Sequence, residues 1–257
     1  MEQKIENILN NDSGKEVWPN KEAYLKFCEG EPDAIVIFGN SLVERKVDGT
    51  KLVGGYGHVN IHGNLNGGHA RNTVAAELYK YFPNAAVVTN SWVKSEGPLS
   101  YAEVTAAQLK AYGVPAESIE VQKESYSNFT EILELIKRIN KNGWRHPIIP
   151  MNEFQIPRAK AMLNHINELH DPSGEWKKPE VQDALTKFSA IKNEVKISFV
   201  SAEDILPLIN ERYAKIVKAA KELPAWKETM ERENLGAEQV NNGEYWKNSP
   251  STLIKGE

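Results

Sequence analysis

A single cysteine in 257 residues, Cys28, leaves no intrachain disulfide framework and fits a reducing compartment. It lies in the stretch Ala23-Tyr24-Leu25-Lys26-Phe27-Cys28, which suits a buried small hydrophobe better than a nucleophile. No run approaches the ~18 consecutive apolar residues that a membrane-crossing helix needs. The opening Met1-Glu2-Gln3-Lys4-Ile5-Glu6 is too acidic and polar for a signal peptide. A cytoplasmic protein is the expectation. Neither sign of charge dominates: 31 Lys and Arg face 35 Asp and Glu, leaving a net charge of −4. The basic residues are scattered rather than striped, so no nucleic-acid partner is expected. Also missing are the Gly-Lys-Ser/Thr of a Walker loop and a GxGxxG directly after the first apolar strand. No internal repeat is visible.

What is present is an ordinary globular composition, 40% hydrophobic and 26% charged, in a chain long enough for one large core. The organising stretch runs from Asp33 to Arg71. Residues 33–39 read as a strand buried on both faces, followed from Asn40 to Ala70 by a polar loop with seven glycines and three histidines. A loop of that length without periodicity is usually functional. Apolar strands then alternate with amphipathic helices: strands near 85–89, 118–121, 147–151 and 195–200, and helices over 71–82, 100–113, 128–142, 157–169 and 201–223. The pattern predicts a doubly wound α/β domain of five parallel strands in the order 3-2-1-4-5, with helices on both faces. Residues 1–32 read as an N-terminal helical segment, 33–223 as the domain with a surface insertion at 171–194, and 224–257 as a helical appendage and loosely held tail.

In such sheets the ligand crevice lies beyond the carboxyl ends of the strands. The loops there are Gly39-Asn40-Ser41, Asn90-Ser91, Glu124 to Asn128 and Asn152 to Gln155, all rich in amides and hydroxyls. Arg71 and Arg158 each begin a helix after such a loop. A cation there is disfavoured by the helix dipole unless an anion is near, which is met either by an anionic ligand or by a salt bridge to Glu103, Glu131 or Glu153. Glu103 and Glu131 follow Ser100 and Asn128 by three residues, where capping explains them, with acid/base work open to Glu103. His58, His62 and His69, with Asp48 or Glu44, are candidate metal ligands. Gly54-Gly55-Tyr56-Gly57 and Gly67-Gly68 offer backbone for an anion or simply for turns.

The order Ile-Val-Ile-Phe-Gly39, Arg71 opening a helix, Val-Val-Thr-Asn90-Ser91, Tyr-Ala-Glu103, Glu124 to Glu131 and Phe154-Gln155-Ile156-Pro157-Arg158-Ala159 resembles the YdcF-like family (SanA, ElyC and YdcF), a bacterial domain of unknown function. The resemblance covers about residues 33–170. It implies a Rossmann-like fold, a pocket lined by Arg71, Glu103, Asn128, Glu131 and Arg158, and a link to cell-envelope metabolism or S-adenosylmethionine. Where the family usually carries His before x-x-Arg-Ala this chain has Gln155, which leaves Gln155 either as a replaced catalytic group or as a hydrogen-bonding one. The leading expectation is a protein that binds a small anionic metabolite: a nucleotide, an S-adenosylmethionine-like molecule or a phosphorylated envelope precursor. Hydrolase or transferase chemistry would follow, with Glu103 and Gln155 as catalytic candidates. Gly39, Asn40, Ser41, Arg71, Asn90, Ser91, Asn128, Glu131, Asn152 and Arg158 would bind the ligand. Two alternatives stand beside it: a metal-assisted hydrolase built on the histidine loop, and a non-enzymatic sensor or partner-binding protein that uses Trp226, Tyr245 and Trp246.

Overall fold

Short apolar segments separated by helices form one parallel sheet in the computed structural model, which describes residues 20–39, 42–44, 51–58, 65–91 and 99–246. In chain order the strands are β1 (Ala34–Ile37), β2 (Leu42–Glu44), β3 (Lys51–Val53), β4 (Ala86–Asn90), β5 (Ile119–Gln122), β6 (Pro147–Met151) and β7 (Ser198–Ser201). The helices are α1 (Lys21–Cys28), α2 (Gly68–Tyr81), α3 (Tyr101–Ala111), α4 (Asn128–Asn142), α5 (Ile156–Asn164), α6 (Pro179–Ile191), α7 (Ala202–Ile209), α8 (Glu211–Lys221) and α9 (Pro224–Asn241). The large sheet runs β5-β4-β1-β6-β7, which is the expected 3-2-1-4-5 of the five core strands. The fold is Rossmann-like.

Every residue of β1 is buried because helices cover both faces of the sheet. Ile35 and Ile37 enter one apolar layer with Tyr24 and Cys28 of α1, Val74 and Leu78 of α2, and Ile205 of α7. Ala34, Val36 and Phe38 enter the opposite layer with Ile132 and Ile136 of α4, Met162 of α5 and Leu185 of α6. Period-two alternation along a single strand thus feeds two cores. Cys28 is fully buried in the first, and burial pushes its thiol up to about 12.

Strand order reverses beside β1: β4 follows on one side and β6 on the other. The β1–β6 register pairs only Ala34 with Pro147 and Ile35 with Ile148. Pro150, having no N–H, cannot donate to that ladder.

Three expectations change. The stretch 40–70 is not all loop, since β2 and β3 pair antiparallel as a ribbon; at three residues each they are too short to show a period. α2 opens at Gly68 rather than Arg71, so Arg71 becomes its fourth residue and is not at its mouth. The helix read over 201–223 breaks at Asn210, whose backbone is extended and whose side chain caps α8; Pro207, without an N–H, weakens the turn before it.

α9 lies along α5, with Trp226 against Phe154 and Tyr56, and Val240 in the second core layer. Among the described residues, no helix is long and apolar enough to cross a membrane.

Candidate functional site

The carboxyl ends of β1 and β4 meet almost without clearance. A Cβ on Gly39 would lie 2.5 Å from Ser91 Cβ and 2.9 Å from Glu131 Oε1, so only glycine fits. Ser91 itself has φ 138°, a backbone state that side chains other than glycine rarely adopt. Strain of this kind costs about 1–3 kcal/mol and gathers where function needs a fixed geometry.

Against this corner α2 presents Arg71. The side chain is fully buried, and its Nη2 donates to Gly39 O at 3.2 Å. Its Nε and Nη1 have no hydrogen-bond partner, and among the described residues Arg71 makes no ion pair. A buried guanidinium held by one carbonyl, with the Tyr101 hydroxyl beside it, forfeits most of its hydration.

Glu131 approaches from α4. The helix is capped by Ser127 and not, as expected, by Asn128, with Ser127 and Thr130 forming the capping box. With the cap at Ser127, Glu131 is the fourth helical residue and free of capping, and its Oε1 accepts the Gly39 N–H. Burial raises its carboxyl to about 7, opposed by that N–H and by the charges of Arg71 and Arg158. A carboxyl that titrates near neutrality beside an unpaired arginine is equipped to hold or move a proton.

Further buried polar atoms without partners surround these groups: Asn90 Nδ2 at the end of β4, Asn128 Nδ2 at the start of α4, Tyr101 Oη on α3, Asn152 Oδ1 after β6 and Gln155 Oε1 in the next turn. Burial lifts the Tyr101 hydroxyl pKa, and the nearby Arg71 charge opposes the rise. Buried polar groups are nearly always satisfied, and each one left alone costs about 1–3 kcal/mol. These atoms lie toward the carboxyl ends of the strands, the end at which ligands bind in open parallel sheets.

Asn152 joins a second cluster. Its Nδ2 donates to Glu203 Oε1 at 2.9 Å and to Gly67 O at 3.3 Å. Glu203 also accepts the Tyr56 hydroxyl and, at 2.7 Å, the Glu153 N–H. It is buried, and burial raises its carboxyl pKa. Gly67 is required here, because a Cβ would meet the Asn152 amide at 2.2 Å. Tyr56 feels the Arg71 charge, so the two clusters lie near one another.

Other candidates are placed elsewhere. Glu103 completes the Ser100 capping box and pairs with Lys123 at 2.9 Å. The Ser100 N–H bond and Lys123 hold its carboxyl down at about 2, so the acid/base work read for Glu103 has no support in the geometry. Arg158 forms a fork to Glu233 of α9, Nε–Oε2 2.6 Å and Nη2–Oε1 2.9 Å, and donates to Tyr245 Oη at 2.6 Å. Its anion is therefore internal, and comes from none of the three glutamates considered. Gly236 gives the Arg158 stem room, since a Cβ would lie 2.8 Å from Arg158 Cδ. Trp226 is buried and Trp246 packs edge-on to Phe129, so these aromatics are engaged within the chain.

Of the histidines, His58 is exposed and His69 contacts Tyr112 Oη through Nε2 at 3.1 Å. Asn40, Ser41, Asp48 and His62 lie outside the described residues. Among the described residues no group of three or more His, Cys, Asp or Glu is placed to hold a metal.

Sequence reading missed Tyr56 and Glu203. Only the Glu203 position, just inside the helix capped by Ser201, hinted that a carboxylate would sit at a strand end. Comparison with family models, curated proteins and solved structures gives no match to this chain.

Proposed function

We propose that the chain binds a small anionic metabolite in the crevice at the carboxyl ends of β1, β4 and β6, and acts on it as a hydrolase or transferase. The observation that carries the reading is Arg71, fully buried with Nε and Nη1 unpartnered. An oxyanion supplies what those donors lack, and phosphate or carboxylate matches a guanidinium edge bidentately. Asn90 and Asn128 add amide donors, while Asn152 and Gln155 add carbonyl acceptors for the rest of the ligand. A phosphoryl group suits such a donor-rich site. A nucleotide, an S-adenosylmethionine-like molecule or a phosphorylated envelope precursor is the class we favour, in keeping with the resemblance to the YdcF-like family.

Glu131 is the proton carrier in this reading. Its Oε1 is engaged by the Gly39 N–H, which leaves Oε2 as the oxygen to carry the proton. With a carboxyl near 7 it donates to a leaving oxygen in one protonation state and accepts from water or an acceptor hydroxyl in the other. Gln155 serves as a hydrogen-bonding group.

The test is a calorimetric and thermal-shift panel of phosphate, pyrophosphate, nucleotides, S-adenosylmethionine and nucleotide sugars on the wild type, Arg71→Lys and Arg71→Met. A ligand at a hundred times its Kd stabilises by about 2.7 kcal/mol. Arg71→Lys should weaken the best ligand by about tenfold and Arg71→Met by more. Unchanged affinity in both variants, with both folded, refutes the reading.

A further inference from the structure

A second cavity lies away from the Glu131 corner, between the turn after β3, the first turn of α2, the end of α3 and the start of α8. It encloses about 460 Å³, within the range of small-molecule sites. Four rings line it, Tyr56, His69, Tyr112 and Tyr213, with aliphatic Leu206 and Ile216 beside them. Gly57 stands at its edge, where a Cβ would meet nothing within 4 Å, so the wall there is open. A smaller cavity of about 240 Å³ shares Tyr112, Asn210 and Tyr213 with it and extends the groove along α2.

Two observations give the groove a chemical preference. The first is Arg212, which lines it and is the second residue of α8. Among the described residues Arg212 makes no ion pair, hydrogen bond or ring contact, whereas Arg138, Arg145 and Arg158 each pair with a glutamate. A cation in the first turn of a helix opposes the dipole unless an anion joins it.

The second is the fixed geometry of the aromatic wall. Asn72 Nδ2 donates to Gln108 Oε1 at 2.7 Å, and Gln108 Nε2 donates to Tyr112 Oη at 2.9 Å. The Tyr112 proton is thereby directed to His69 Nε2, 3.1 Å away, which selects the neutral histidine with its proton on Nδ1. Burial also lowers the His69 pKa, in the same direction. His69 and Tyr112 are thus held as rigid, uncharged ring surfaces, leaving Arg212 as the cation.

We propose that this groove is a second ligand site, for a flat aromatic ring system bearing one anionic group, with the ring between Tyr112 and Tyr213 and the anion on Arg212. Tyr56 connects it to the crevice: its ring lines the groove while its hydroxyl donates to Glu203. The inference does not depend on the crevice reading.

The experiment is titration calorimetry of the full chain with three probes: AMP, which has both ring and charge; adenosine, which has the ring; and ribose 5-phosphate, which has the charge. The proteins are wild type, Arg212→Ala, Tyr213→Ala and Arg71→Met. AMP should bind the wild type more tightly than either fragment. Arg212→Ala, on an exposed side chain that holds nothing else, should weaken AMP about tenfold while leaving adenosine unchanged. Tyr213→Ala should weaken AMP and adenosine alike. No AMP binding at millimolar concentration overturns the proposal, as does AMP binding that Arg212→Ala and Tyr213→Ala both leave intact. AMP binding lost only in Arg71→Met would place the nucleotide in the crevice, which refutes the second site and supports the first.

Discussion

Replacing Glu131 by Gln removes one ionisable group at nearly constant volume, and its effect on stability depends on pH in a direction that the structure dictates. Burial lifts the Glu131 carboxyl from an ordinary 4.5 to about 7. Between those values the folded chain keeps a proton that the unfolded chain has released. The stabilisation tied to that proton is complete below about pH 4.5, is lost as pH rises toward about 7, and is absent above it. From 4.5 to about 7 is a difference of about 2.5 pH units, which at 1.36 kcal/mol each comes to about 3 kcal/mol. Glutamine stays neutral throughout and can still offer an oxygen to the Gly39 N–H.

Urea unfolding followed by circular dichroism from pH 4.5 to 8.5 measures the difference between the two proteins. Whatever fixed offset they show at pH 4.5 should move by about 3 kcal/mol in favour of Glu131→Gln by pH 8. An offset that does not change with pH would mean that Glu131 is ionised in a fully compensated pair and is no proton carrier. The same titration bears on binding. If an anion sits on Arg71, its affinity for the wild type should weaken above pH 7, where ionised Glu131 repels it, and should stay flat in the variant.

The other expectations are structural. Gly67→Ala drives a Cβ to 2.2 Å from the Asn152 amide, so it should cost about 1–3 kcal/mol in urea unfolding; a neutral result would show that the Asn152–Glu203 contact is loose. Glu233→Ala strips the fork from Arg158, whose side chain is only 21% exposed, and should cost about 3 kcal/mol with little dependence on salt. Trp226→Ala opens a hole against Phe154 and Tyr56 and should cost about 3–5 kcal/mol, lowering the thermal midpoint. Cys28, buried with its thiol pushed up to about 12, should resist iodoacetamide at pH 8 in the folded protein and react fully in urea; rapid labelling without denaturant would contradict the packing of α1.

The sheet was legible because its signal is redundant. Five apolar runs and the helices between them each agree with a parallel, doubly covered sheet, and an error of two residues at any boundary leaves the topology unchanged. Local three-residue strands such as β2 and β3 carry no such redundancy, and Leu42-Val43-Glu44 is indistinguishable from loop until Lys51-Leu52-Val53 pairs with it. The reach of α9 was equally hidden. Nothing near Arg158 announces Glu233, because the pair spans 75 residues and is made by tertiary packing alone. Tyr56 and Glu203, 147 residues apart, were missed for the same reason.

Glu103 and Glu131 show how small the missing information is. Each follows, by three residues, a polar side chain able to cap a helix, and from sequence the two are equivalent. At Ser100 the helix begins where expected, Glu103 bonds back to the cap, and its carboxyl falls to about 2 with Lys123 beside it. At Asn128 the cap is taken one residue earlier by Ser127, with Thr130 as its partner. Thr130 therefore holds the capping position and Glu131 the one after it, on the buried face it shares with Leu135, where it meets the Gly39 N–H and rises to about 7. What separates a structural glutamate from a proton carrier here is the occupant of the third helical position: Glu103 after Ser100, but Thr130 and not Glu131 after Ser127. Ser127→Ala tests that origin directly. If the cap passes to Asn128, Glu131 reaches the third helical position, can bond back to the Asn128 N–H, and should lose its elevated titration. If Glu131 still titrates near 7, packing of Phe129 and Ile132 against the sheet, and not the cap, sets the register.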